Sequence, residues 1–161
     1  MVDDYLPYAV TDEHGHILLN TQMNNETASP SFWVALAEKG FAKAFVNYAN
    51  LDGGDQMESL RALTGMPVHT YYNTEYTDIG MFALIEEGEE NDWVMTASCL
   101  KSNQGLAPLH VYTVLGTVTL NRTEPFDRPE KLIKLRNTWG SENFTGPWSD
   151  EAKEWNEELM A

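Results

Sequence analysis

The chain has 161 residues, with 10 Lys and Arg against 25 Asp and Glu, a formal charge of −15 and an isoelectric point near 4.4. That balance opposes attraction to phosphate backbones and anionic lipid, so nucleic acid and membrane surfaces leave the list of expected partners. With 42% hydrophobic and 11% aromatic residues the chain nonetheless carries enough apolar material for a core of one-domain size, which a disordered acidic chain lacks.

In chain order, the first twenty residues read as a hairpin: an extended piece through Tyr5, Leu6, Tyr8 and Val10, a polar turn from Thr11 to Gly15, then Ile17, Leu18 and Leu19. His14 and His16 fall in or beside that turn and read as surface residues. Ser29-Pro30 is a helix start, with a hydroxyl for an orphan N–H and proline where its missing donor costs nothing. Trp33, Leu36, Ala37, Phe41, Ala44, Phe45 and Tyr48 follow at spacings of mostly three and four, predicting one apolar stripe along a long helix. Asp52-Gly53-Gly54-Asp55 breaks it. It reads as a turn, since the later ligands of an EF-hand do not follow.

A short helix is predicted from about Gln56 to Leu63, with Met57, Leu60 and Leu63 inward and Gly65 as its stop. The aromatic stretch from Pro67 to Thr74 is irregular, and His69 within it reads as a partly exposed ring. A third helix runs from about Thr77 to Glu87 on Ile79, Phe82 and Ala83. The acids Glu86, Glu87, Glu89, Glu90 and Asp92 close it as a solvated face, where the helix dipole predicts fraying. The second half changes to short apolar or β-branched runs at Trp93–Leu100, His110–Leu120 and Leu132–Leu135, with a final short helix near Asp150–Glu158. Helices come first and strands later, which predicts an α+β protein divided somewhere in residues 66–92.

The single cysteine, Cys99, excludes a disulfide framework within the chain and any multi-cysteine metal site, and fits a reducing compartment. The chain opens Met1-Val2-Asp3-Asp4, without the basic start and apolar run of a secretion signal, and no apolar stretch approaches the roughly 20 residues needed to cross a bilayer. The expected location is cytoplasmic or otherwise intracellular. Phosphate-loop, dinucleotide, HExxH, CxxC and GxSxG signatures are absent.

Chemistry concentrates at His110, which opens an apolar strand directly after Gly105-Leu106-Ala107-Pro108, and at Asn137, which ends the run Leu132-Ile133-Lys134-Leu135-Arg136. A strand-end His beside a strand-end Asn can form a base and orienter pair, the amide oxygen fixing the imidazole tautomer so that the other nitrogen faces a nucleophile. Trp139, two residues on, can shield that hydrogen bond from water.

The segment from Gly105 to Gly116, the run Arg136-Asn137-Thr138-Trp139-Gly140 and the following Thr145-Gly146-Pro147-Trp148-Ser149-Asp150 closely resemble the calpain family of papain-like, calcium-dependent cysteine proteases. Val2-Asp3-Asp4-Tyr5-Leu6-Pro7, Phe32 to Lys43, Asn47-Tyr48, Leu51-Asp52-Gly53-Gly54 and Leu63-Thr64-Gly65 resemble it in the same order. The resemblance implies a partial papain-like core: residues 1–75 as the helical end of the first module, and residues 76–161 as a β-rich antiparallel second module truncated at its end. His110 is then the general base, Asn137 its orienter and Trp139 the indole cover.

In that family the nucleophilic cysteine and an oxyanion-hole glutamine precede the valine-aspartate-aspartate strand, so the expectation is a protease portion without its nucleophile, inactive alone. Cys99 matches a position where family members often hold a structural cysteine. The implied partners are a peptide or protein substrate of the parent enzyme and the missing N-terminal core segment. The alternative is a non-catalytic calpain-like interaction or regulatory module. The resemblance also implies calcium for the parent protein. In this chain the first site's motif reads Asn47-Tyr48-Ala49-Asn50-Leu51, where Ala49 has no ligand atom, and the second leaves only Asp150, Glu151 and Glu154 as weak metal candidates.

Overall fold

A computed structural model describes residues 1–3, 5–6, 8–10, 17–19, 32–120, 129–139 and 143–155. The predicted hairpin turn with His14 and His16, the Ser29-Pro30 helix start, and Glu157 and Glu158 lie outside them. The chain forms two compact units, Met1–Met66 and Pro67–Ala161.

In the first unit, β1 (Tyr8–Val10) pairs antiparallel with β2 (Ile17–Leu19). Helix α1 spans Trp33–Ala44. It ends a turn before the apolar stripe predicted: Val46 takes a φ of +82°. The chain then re-enters a 3-10 turn at Tyr48–Leu51, where the Asn47 side chain accepts from Asn50 N–H and Asn50 Nδ2 donates to the Phe45 carbonyl. These amides compete successfully with helix continuation. The buried face also differs from the prediction. Ala35 and Ala42 are buried, whereas Trp33 is 67% exposed. Lys39, on the same face at helical spacing, bonds Asp3 Oδ1 and the carbonyls of Asp3 and Tyr5, while Lys43 donates to the Met1 carbonyl. A lysine that holds the N-terminal segment thus sits on the face that hydropathy alone treats as solvated.

Helix α2 (Gln56–Thr64) forms where predicted and stops at Gly65. The Asp55 carboxylate accepts from Met57 and Glu58 N–H at 2.7 and 3.2 Å, and Gly65, at φ +68°, donates to the Arg61 carbonyl. Asp52 to Asp55 is therefore a turn that ends in a helix cap. Leu63, predicted inward, is exposed.

The second unit begins irregularly, with exposed His69 in ring contact with Tyr71. Helix α3 spans Asp78–Glu90 under a Thr77 cap. Phe82 is buried as predicted, but Ile79 is 74% exposed. The helix continues through its acidic end to Glu90: Asn91 N–H and Nδ2 both bond the Glu87 carbonyl, and Trp93 N–H bonds that of Gly88. Glu89 Oε2 also accepts from Thr117 N–H and Oγ1 at 2.8 and 2.9 Å, so tertiary bonds outweigh the unfavourable dipole.

Strands β3 (Met95–Ser98), β4 (Val111–Leu120) and β5 (Glu130–Asn137) form an antiparallel sheet in that order. The register between β4 and β5 shifts between Val114 and Gly116. There Gly116 adopts φ +147°, and a Cβ on it would overlap the Glu89 carboxylate. Phe82 of α3 and Tyr112 and Val114 of β4 are the buried apolar side chains of this unit among the described residues. Residues 146–155 form successive turns rather than the start of the predicted final helix. Trp148 stands at φ +65°, and Trp155 Nε1 donates back to the Ser149 carbonyl. The architecture is α+β: a helical region followed by an open three-stranded antiparallel sheet, as a partial papain-like core requires.

Candidate active site

Antiparallel pairing of β4 with β5 places Tyr112 directly opposite Asn137. Facing residues of an antiparallel pair share a face, and His110, two residues before Tyr112, shares it too. Side chains 27 positions apart thereby meet: His110 Nε2 lies 2.8 Å from Asn137 Oδ1. The proton can be assigned from the neighbours. Trp139 N–H donates to the same Asn137 oxygen at 3.0 Å, and a backbone N–H can only donate, so the atom it meets is the amide oxygen. That oxygen accepts from His110 as well, so Nε2 carries the ring proton and Nδ1 of the neutral ring keeps its lone pair.

The Trp139 indole stacks on His110 with ring centroids 3.9 Å apart at 29°. Trp139 itself is 51% exposed, so it covers the imidazole as a lid whose other side meets solvent. The bond between Asn137 and Trp139 N–H is a local turn that fixes both side chains from one short segment.

The loop leading into β4 is tied down at several points. Leu109, at φ +56°, donates its N–H to the Cys99 carbonyl at 2.8 Å. Cys99 Sγ donates to the Ala107 carbonyl at 3.3 Å, and Ala107 N–H donates to the Tyr112 hydroxyl at 2.9 Å. Thr145 N–H bonds the Gln104 carbonyl at 2.7 Å. Gly105, at φ +90°, passes so close to the Asn143 carbonyl that no side chain fits. Cys99 is thus a half-buried thiol just past the end of β3, bonded to the loop before His110. Tyr112 was not singled out from the sequence, although its i+2 spacing from His110 on a strand was the available signal.

No three His, Cys, Asp or Glu side chains among the described residues gather so as to hold a metal ion, and Asp150, Glu151 and Glu154 are not brought together as one. Ala49 lies exposed in the 3-10 turn. At the first expected calcium position the side chain therefore offers no ligand atom. A cavity of about 430 Å³ opens between α3 and β5, lined by Tyr76, Ile79, Phe82, Lys131 and Ile133 among others, and His110, Asn137 and Trp139 are not on its wall. No helix among the described residues is long and apolar enough to cross a membrane.

A family description reading "Calpain family cysteine protease" matches residues 1–159. Calpain-8 of Rattus norvegicus is 32% identical over 166 residues, covering 97% of this chain and 22% of that protein. Calpain-9 of Mus musculus is 30% identical, covering 96% of this chain and 22% of its own length. Calpain-A of Drosophila melanogaster is 30% identical over 142 residues, 81% of this chain and 17% of its own. The chain spans about a fifth of the length of these relatives.

Proposed function

Because the chain belongs to the calpain family of cysteine proteases, we propose that it contributes the general base and its orienter to peptide-bond hydrolysis, with His110 and Asn137 in those roles and Trp139 as the cover. The observation that carries this reading is the 2.8 Å bond from His110 Nε2–H to an Asn137 oxygen whose identity a backbone donor fixes. With Nε2–H so engaged, Nδ1 is the nitrogen left to take a proton from a thiol. The imidazolium then stabilises the thiolate and, after attack on the scissile carbonyl, gives its proton to the leaving amine, which returns the ring to its base form; that base takes a proton from the water that releases the acyl-enzyme and regenerates the thiolate.

The thiolate has to come from outside these 161 residues. The one cysteine spends its thiol proton on the Ala107 carbonyl and helps hold the loop before His110. We read residues 1–75 as the end of the first protease module and 76–161 as part of the second, acting on a peptide or protein inside the cell once the segment with the cysteine and oxyanion donor is present.

The test is a chimera in which the cysteine-bearing segment of a calpain relative precedes this chain. Turnover of a fluorogenic peptide is expected, falling about 10²- to 10⁴-fold in His110→Ala, the range general acid–base groups supply. Turnover indifferent to His110→Ala would refute the assignment.

A further inference from the structure

The contacts of Tyr112 join the two things that the candidate base depends on, its ring orientation and its entry loop. The side chain is 6% exposed, the largest of the buried residues on β4. Its ring meets the His110 imidazole edge to face, with centroids 4.8 Å apart at 81°, while Trp139 lies nearly parallel to the same imidazole. An edge-to-face neighbour and a stacked neighbour together leave the imidazole little freedom to turn about its χ2 torsion. At its far end the Tyr112 hydroxyl accepts from Ala107 N–H, on the loop from which His110 enters the strand. The same residue's backbone stands opposite Asn137 in the sheet register.

We propose that Tyr112 is a positioning residue for His110: its ring sets the plane of the imidazole and its hydroxyl anchors the entry loop, so that Nε2–H is held on Asn137 and Nδ1 is held away from it. This rests on reading His110 and Asn137 as base and orienter. Without the hydroxyl, Ala107 N–H loses its partner and the loop that carries the left-handed Leu109 gains freedom. Without the ring, the imidazole can flip and present either nitrogen to the amide.

The test is nitrogen NMR of the His110 ring in the full chain, comparing the parent with Asn137→Ala, Tyr112→Phe and Tyr112→Leu. The parent is expected to show a single Nε2–H tautomer. Asn137→Ala is expected to mix the tautomers, and a spectrum unchanged in that variant would refute the base and orienter reading itself. Tyr112→Phe, which keeps the ring and the fold, is expected to speed exchange of the Ala107 amide and the His110 ring proton by about fivefold, the factor one typical hydrogen bond carries. Tyr112→Leu is expected to mix the tautomers with Asn137 still in place. If Asn137→Ala mixes them while both Tyr112 variants keep the parent tautomer and exchange rates, Tyr112 positions nothing and the proposal falls alone. Should Tyr112→Leu fail to fold, unchanged exchange in Tyr112→Phe is sufficient to overturn it.

Discussion

Gly116 shows how one missing side chain can join two elements. Its φ of +147° suits glycine, and the space a Cβ would need is filled by the Glu89 carboxylate that caps Thr117 N–H and Oγ1. Gly116→Ala is expected to lower stability by about 1–3 kcal/mol, the usual cost of a strained backbone position, with the overlap adding to it. Glu89→Ala should cost a comparable amount, about 1.5–3 kcal/mol for hydrogen bonds to a charged group, and Glu89→Gln should recover part of that. Denaturant midpoints at unchanged slope measure both effects. A neutral Gly116→Ala would mean that β4 can shift its register there at no cost. At Cys99 the opposite outcome is expected: Cys99→Ala should leave peptide hydrolysis by the chain alone undetectable, as in the parent, and remove all labelling by a thiol-reactive probe. Hydrolysis by the parent that disappears in that variant would make Cys99 a nucleophile.

Among the elements, α2 owes its start to a single carboxylate. Asp55 satisfies two of the helix's orphan N–H groups, so Asp55→Ala is expected to destabilise the first unit by about 1 kcal/mol, while Asp55→Asn or Asp55→Ser should be nearly silent. Far-UV circular dichroism through a denaturant series would resolve it. The N-terminal segment depends on charge more than on cover. The Lys39 ammonium bonded to Asp3, reinforced by Tyr5 N–H, holds the Asp3 carboxyl below its ordinary value of 3.8. A depressed carboxyl pKa stabilises the folded arrangement above the unfolded value and loses that contribution as pH falls through the folded one. Exchange of the Tyr5 amide, followed below pH 4, should therefore accelerate relative to amides of α1 once Asp3 protonates. Because the Asp3 side chain is largely exposed, added salt should weaken the same bond at neutral pH.

Over the whole molecule the charge of −15 sets the stability's response to ionic strength. Like charges repel more when the chain is compact, so moderate salt, which shortens the screening length to about 10 Å at 0.1 M, is expected to raise the melting temperature even as it loosens the Asp3 bond. A melting temperature that falls with salt would show that specific ion pairs outweigh the self-repulsion. The buried apolar set among the described residues is small, limited to Ala35, Ala42, Phe82, Tyr112 and Val114, while Trp33, Ile79, Val94 and Leu115 remain exposed. Stability therefore leans on hydrogen-bonded devices such as the Glu89 to Thr117 bond more than a large core would require.

What the sequence determined by itself was whatever depends on neighbours a few positions apart. The Gly65 stop, the starts of α2 and α3, the hairpin strands and the strand runs around His110 and Asn137 are all written in local turn chemistry and periodicity. The pairing of His110 with Asn137 was an expectation carried by the resemblance to the calpain family: local pattern marked two strand ends, and only the sheet makes those strands neighbours. Tertiary structure alone decided which side of α1 is buried, since hydropathy does not reveal that Lys39 holds the N-terminal segment from that face. It alone extended α3 through its acids, because a helix end with an unfavourable dipole becomes stable only when a distant Thr117 takes one of those acids. It also decided the proton on His110: two donors converging on one amide oxygen is a fact of three-dimensional geometry, and no spacing along the chain encodes which nitrogen meets it.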